Sequence, residues 1–102
     1  MSEPALRLEL YVAGDAPNSR RARDHLEAIL EAHFSDSPDL ELVDVLEHPS
    51  RALKAGVLAT PTLLIHRGDQ VQRLIGDLSD SDLLQSSLVS RKASRWAPGP
   101  IP

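Results

Sequence analysis

The step Thr60-Pro61-Thr62 limits what this chain can fold into more than any other feature of it. Pro61 has no N–H to give to a ladder, so a strand can open at it but not run through it. Thr60, preceding a proline, avoids the α region and ends whatever helix comes before. Beyond the step lie an apolar run, Leu63-Leu64-Ile65, a polar turn, Arg67-Gly68-Asp69-Gln70, and a second β-prone run over 71–75. Two short β-runs joined by a glycine-containing polar turn predict an antiparallel hairpin. Gly76-Asp77 follow, and Ser79 with Asp82 three residues on predicts the start of a last helix by a capping-box-like arrangement.

Upstream of the hairpin the pattern alternates between strand and helix. Over 5–12, Leu6, Leu8, Leu10 and Val12 fall on one face and Arg7, Glu9 and Tyr11 on the other, a period of two that predicts a strand. Residues 13–19 read as a loop leading into a helix, with Asn18 or Ser19 as its cap and Pro17 suited to its start. That helix is predicted to reach about His33, with Ala22, Leu26, Ile29, Leu30 and His33 as its inner stripe. Residues 39–46, DLELVDVL, predict a second strand, parallel to the first through a right-handed crossover. His48-Pro49 predicts a cap with proline at the first helical position, opening a short helix over 49–55 that stops at Gly56 and uses Leu53 as its core contact. The last helix, about 80–90, is expected to bury Leu83, Leu84 and Leu88. The order is β-α-β-α-β-β-α, an α/β single domain over 5–90, with a short tail at 1–4. A basic, Pro-rich and disordered tail is expected over 91–102, where Trp96 could dock on the domain or a partner.

Composition narrows the function classes. The 102 residues carry a net charge of -4, which argues against a nucleic-acid binder. No apolar run approaches the ~20 residues that span a bilayer, and the start MSEPA does not read as a signal peptide, so a cytoplasmic protein is expected. There is no cysteine, which excludes disulfides, thiol redox chemistry and thiolate metal sites. His25, His33, His48 and His66 stand in no triad or metal spacing; His25 and His33 sit about 80° apart on a helical wheel. No glycine-rich nucleotide loop is present. Arg67-Gly68-Asp69 is explained by glycine at a hairpin turn. Arg20, Arg21 and Arg23 form a basic patch. It reads either as a solvated face with Arg20–Asp24 and Arg23–Glu27 pairs or as a docking surface for an acidic partner.

The proline step, hairpin, glycine and closing helix resemble the C-terminal half of thioredoxin-fold proteins, in which that proline is cis. Such redox enzymes place two cysteines between the first strand and first helix. The matching register here is Ala16-Pro17-Asn18-Ser19, with a methyl at the attacking position and Ser19 at the second. The resemblance therefore implies the scaffold without its reaction centre. For Ser19, helix capping is expected rather than nucleophilic chemistry, which needs a positioned base.

A narrower resemblance rests on LYVAGDAPNSRRA (10–22), LVDVLEHP (42–49), LATPTL (58–63) and LIGDLSD (74–80). In that order these resemble the KaiB family of circadian-clock proteins. The resemblance implies a non-catalytic protein without cofactor that docks on a KaiC-like ATPase, with KaiA-like or histidine-kinase proteins as further partners. It also implies either a thioredoxin-like monomer or a tetramer with another C-terminal topology, the two interconverting in some members. The segment that decides between them makes Pro61, Gly68, Gly76 and Asp77 the fold-determining residues. Clock members carry prolines between the proline step and IGDLS; here 65–71 has none, which favours the hairpin. Clock members also carry an acidic C-terminal extension, absent here. Their short helix ends in an acidic-lysine pattern, whereas this one carries Arg51 and Lys54, with Gly56 in the lysine's place. Tyr11, Arg20, Arg21, Lys54 and Val57 are the candidate partner-binding residues. The alternative function is a thioredoxin-fold adaptor or sensor for a histidine kinase or another signalling protein, since the sensor domain of a clock-output kinase resembles the same family.

Overall fold

The computed structural model describes residues 6–34 and 38–96, with side chains as far as Leu88. Its elements run β1 (Leu6–Val12), α1 (Pro17–His33), β2 (Asp39–Asp44), α2 (Pro49–Ala55), β3 (Thr62–Arg67), β4 (Gln70–Ile75) and α3 (Ser81–Trp96). The strands form one sheet in the order β2-β1-β3-β4. β1 pairs parallel with β2 and antiparallel with β3, and β3 and β4 make the hairpin. This is the thioredoxin-like arrangement expected from the sequence, with a hairpin rather than a helix after Pro61. The Thr60-Pro61 peptide is cis, and Gly68 turns the hairpin at φ 62.

β1 is central and covered on both sides. Leu8, Leu10 and Val12 join Ala22, Leu26 and Leu30 of α1, Leu63 and Ile65 of β3 and Leu84 and Leu88 of α3 in the larger core. A smaller core on the opposite face gathers Tyr11, Val43, Ala52, Val57 and Leu64 beneath α2. Seven residues of helix cannot roof four strands, so Glu41, Val71, Arg73 and Ile75 remain exposed on that side.

Several local expectations give way to tertiary geometry. β2 stops at Asp44, not at 46, because the Asp44 carboxylate accepts the N–H groups of Gly14 and Leu46 at 3.1 and 2.9 Å and turns the chain. Asp80, not Ser79, caps α3: its Oδ1 accepts the Leu83 N–H at 3.0 Å. Ser79 instead donates its N–H to Asp77 Oδ1. With the helix set in that phase, Leu84 and Leu88 face the core and Leu83 is 49% exposed. His33 is exposed too, and Phe34 packs on the core at that end of α1. α3 also continues past the expected 90 to Trp96. Nothing in Arg91-Lys92-Ala93-Ser94-Arg95 breaks a helix, and the first following proline is Pro98. Residues 1–4 and the Pro-rich 97–102 lie outside the described residues, as does the side chain of Trp96.

Candidate docking site

The place where a redox enzyme of this fold keeps its cysteines holds no thiol here. The register Tyr11↔Thr62 sets Pro61 beside Val12, at the end of the sheet from which the 13–16 loop leads into α1. Ala16 is the residue before α1, with no side chain to cap it, and Pro17 opens the helix. Asn18 and Ser19 do not cap. Asn18 Oδ1 accepts from Arg21 at 2.6 Å. Ser19 lies inside the first turn, buried, and its Oγ accepts the Ala13 N–H at 3.1 Å, which closes the loop back on the helix. Among the imidazoles, His25 donates through Nδ1 to the Asp77 carbonyl and His66 pairs with Glu9, so neither acts as a base for Ser19. Ser19→Ala would leave the Ala13 N–H without its acceptor and is expected to cost about 1–3 kcal/mol, read in the thermal unfolding midpoint. Among the described residues no group of three histidine, aspartate or glutamate side chains could hold a metal ion.

The surface that does stand out is built by α2 and the segment that follows it. Pro49 starts α2 in its first turn, with His48 before it making no side-chain cap. Gly56 ends it in the left-handed region at φ 74. A Cβ there is strained by its backbone angle, so Gly56→Ala is expected to cost about 1–2 kcal/mol, measurable as a lower denaturant midpoint. Small Ala52, not Leu53, is the buried face of the helix, because only a methyl lets α2 approach Tyr11 and Val43 closely. Leu53 is turned outward and is 76% exposed, and Leu58 is 94% exposed. Between α2 and residues 57–60 runs a groove of about 400 Å³, lined among others by Val45, Pro49, Val57 and Thr60 and rimmed by those two leucines. Apolar side chains gathered on a concave surface make this groove the candidate interaction site.

Two arginines hold α2 on the sheet. Arg73 of β4 donates to the Gly56 and Ala55 carbonyls at 3.0 and 3.4 Å, satisfying the helix C-terminus. Arg51 forks onto Glu41 at 2.6 and 3.0 Å and reaches Glu9 at 3.3 Å. The Glu9 side chain is only 11% exposed. It also accepts from His66 Nε2 at 2.9 Å, Arg7 at 3.1 Å and the Tyr11 hydroxyl at 3.4 Å. Burial pushes its carboxyl up, but the hydrogen bonds and charges of His66 and Arg7 outweigh that and hold it below the ordinary value. The Arg51 hydrogen bonds likewise hold Glu41 below its usual range. Burial, and then the Glu9 charge, push the Tyr11 hydroxyl up.

The sequence candidates divide accordingly. Arg20, Arg21 and Lys54 are exposed. Neither Arg20–Asp24 nor Arg23–Glu27 forms an ion pair among the described residues. Val57 is mostly buried, though it lines the groove, and Tyr11 is 2% exposed, with its hydroxyl turned to Glu9. Tyr11 therefore has no surface to offer, because the face it shares with Glu9 is roofed by α2. Gly76 sits at φ 117, and Asp77 closes the turn before α3 through its bonds from Ser79 and His25. Leu53, expected as the core contact of α2, lies on the groove's rim instead, and Leu58 beside it carried no expectation of a role. The pairing of Ala52 with Leu53 was the available signal, since the smaller neighbour can be the one that faces the sheet.

Comparison with known proteins places this geometry. The solved mitochondrial thioredoxin 3 of Saccharomyces cerevisiae superposes with a TM-score of 0.71 at 19% identity, over 85% of this chain and 79% of that one. That likeness is one of fold, and without cysteine there is no thioredoxin active site here. The N-terminal domain of Synechococcus elongatus SasA matches at a TM-score of 0.69 and 27% identity, over 90% of each chain. In sequence, the circadian clock oscillator protein KaiB of Prochlorococcus marinus is 48% identical over 75 residues, covering 74% of this chain and 70% of that protein. The oscillator protein KaiB1 of a Synechocystis species is 43% identical over 93 residues, covering 84% and 89%. The KaiB domain model matches residues 9–89, from the buried Glu9 through the groove and into α3. With all but the first three residues of its sheet, its cysteine-free redox loop and its hairpin inside that span, the chain belongs to the KaiB family.

Proposed function

We propose that this chain is a non-catalytic cytoplasmic docking protein that binds a KaiC-like ATPase, as a monomer in its thioredoxin-like state, within a circadian-clock or clock-related signalling system. The observation that carries the reading is the groove beside α2, with Leu53 and Leu58 exposed in a chain whose relatives are clock oscillator proteins. Apolar rim residues supply the affinity, and Arg20, Arg21 and Lys54 supply attraction to an acidic surface and set its register. KaiA-like proteins are further partners on the same reading. The proposed absence of catalysis rests on the buried, hydrogen-bonded Ser19 and on the lack of cysteine.

The test is titration of the purified protein against a KaiC-like ATPase with ADP, with ATP and without nucleotide, followed by size-exclusion light scattering. Saturable association in at least one condition is the expected result. A flat response in all three sinks the reading. A second reading, an adaptor for a histidine kinase or another signalling protein, is favoured by the likeness to the SasA N-terminal domain. Binding to an isolated kinase input domain, with none to the ATPase, would establish it.

A further inference from the structure

The Glu9 cluster lies apart from the groove, yet every ion pair found among the described residues involves Glu9 or its neighbour Arg51. Arg51 is its only member on a helix, and that helix is α2. We infer that Arg51 is a positioning residue for docking: bridging Glu9 of β1 and Glu41 of β2, it fixes the angle at which α2 lies on the sheet and so the width of the groove. The inference rests on reading α2 and its groove as the docking surface, and its test separates the two.

α2 has seven residues and one small buried side chain, Ala52, so packing alone leaves its orientation weakly determined. An isolated helix that short has no stability of its own. Its C-terminal end is held by Arg73. Its N-terminal half has no side-chain cap and no acidic residue in its first turn. The hold there is Arg51, whose planar fork meets Glu41 with both terminal nitrogens while one of them also reaches Glu9. A lysine could offer one point charge to one carboxylate, not a bridge between two strands. Glu9 is fixed in turn by donors from the sheet: Arg7 on its own strand and His66 on β3, with the Tyr11 hydroxyl beside it. The titratable and charged groups on this face are Arg7 and Tyr11 from β1, Asp39 and Glu41 from β2, Arg51 from α2 and His66 from β3, with His48 before α2 acting on Glu41. β4 adds only Arg73 to that face. Both acidic partners of Arg51 are held below their ordinary values. Folding therefore favours the ionised carboxylates. The hold is complete above the ordinary carboxylate range and is lost as pH falls through the lowered values.

Hydrogen exchange on the whole, partner-free protein tests this directly. In Arg51→Met, which keeps the apolar stem, the Ala52, Gly56 and Val57 amides are expected to open about three- to tenfold more often. The Leu10 and Leu63 amides of the central strands are expected to keep their rates. Arg51→Lys is expected to recover less than half of the lost protection. In the unaltered protein, opening of the α2 amides, corrected for intrinsic exchange, should rise as pH drops below about 4.5, the ordinary carboxylate value, and Arg51→Met should flatten that rise. Against the KaiC-like ATPase, Arg51→Met is expected to dissociate a few-fold faster. Unchanged α2 amides, an increase shared equally by Leu10 and Leu63, or full rescue by lysine would each overturn the inference. A protein that binds no ATPase refutes the docking reading and with it the role of Arg51 in docking, while the exchange result, which needs no partner, still decides whether Arg51 sets the angle of α2.

Discussion

Replacing Leu53 and Leu58 together by glutamine is expected to weaken association with the KaiC-like ATPase by about thirtyfold or more while leaving the unfolding midpoint within a degree or two. The two effects separate because both side chains are already in water. At 76% and 94% exposure they contribute little to folding, and substitutions at such positions stay within about 0.5 kcal/mol. On a partner they would be desolvated at the centre of the contact, where a truncated anchor costs about 2 kcal/mol or more, and each 1.4 kcal/mol is about tenfold in affinity. Arg20→Ala and Arg21→Ala form the natural contrast. These residues sit on the exposed face of α1, so they are expected to slow association a few-fold and flatten its salt dependence, with little change in dissociation. Should the glutamine variant bind with unaltered affinity while the arginine variants lose it, α2 is not the docking face.

The parts of this fold that could be read from the sequence are those where local chemistry and tertiary demand coincide. Pro61 cannot sit inside a ladder, and Gly68 permits the turn that two strands need, so the β3–β4 hairpin follows from the residues themselves. Alternation in β1 and the four-residue spacing of Ala22, Leu26 and Leu30 place the larger core correctly. The smaller core could not be read the same way. α2 is shorter than two full turns, so its apolar residues define no stripe, and either Ala52 or Leu53 satisfies the pattern. The sheet takes the alanine, which packs with Tyr11 and Val43, and leaves Leu53 outside. The groove beside α2 is made by that choice, which is why no local pattern marks it.

The same limit applies to charge. Glu9 and Arg7 alternate with leucines and by themselves say only that the segment is a strand. Arg51 reads as one more basic residue on a surface helix. That they meet depends on β1, β2 and β3 lying side by side, contacts as far as 57 residues apart in sequence, as for Glu9 and His66. A buried carboxylate with four donors is a tertiary object with no local signature. Ser19 shows the complementary case. Its residue type suited a cap, but its position inside the first turn gave its oxygen to the Ala13 N–H instead.

Leu10→Ala is expected to be the most damaging single truncation for folding, lowering stability by about 2–5 kcal/mol. Leu10 is fully buried on the central strand, between Leu42 of β2 and Leu63 of β3 in register, with α1 and α3 closing the core over that face. The cavity left by its side chain is walled by two strands and cannot collapse without breaking their pairing, so little of the loss is recovered by relaxation. Domains of about this size have about 5–15 kcal/mol in total, and each kcal/mol moves the midpoint by about 4–8 °C, so the variant should melt at least about 8 °C lower. Leu83→Ala serves as the control for a leucine of the same chemistry that the sequence pattern also assigned to the core. At 49% exposure it has about half its surface left to lose, and less than about 1 kcal/mol is expected from it. Equal losses in the two variants, measured by denaturant titration with matched slopes, would mean that α3 packs with Leu83 inward and that the core has a different phase from the one described.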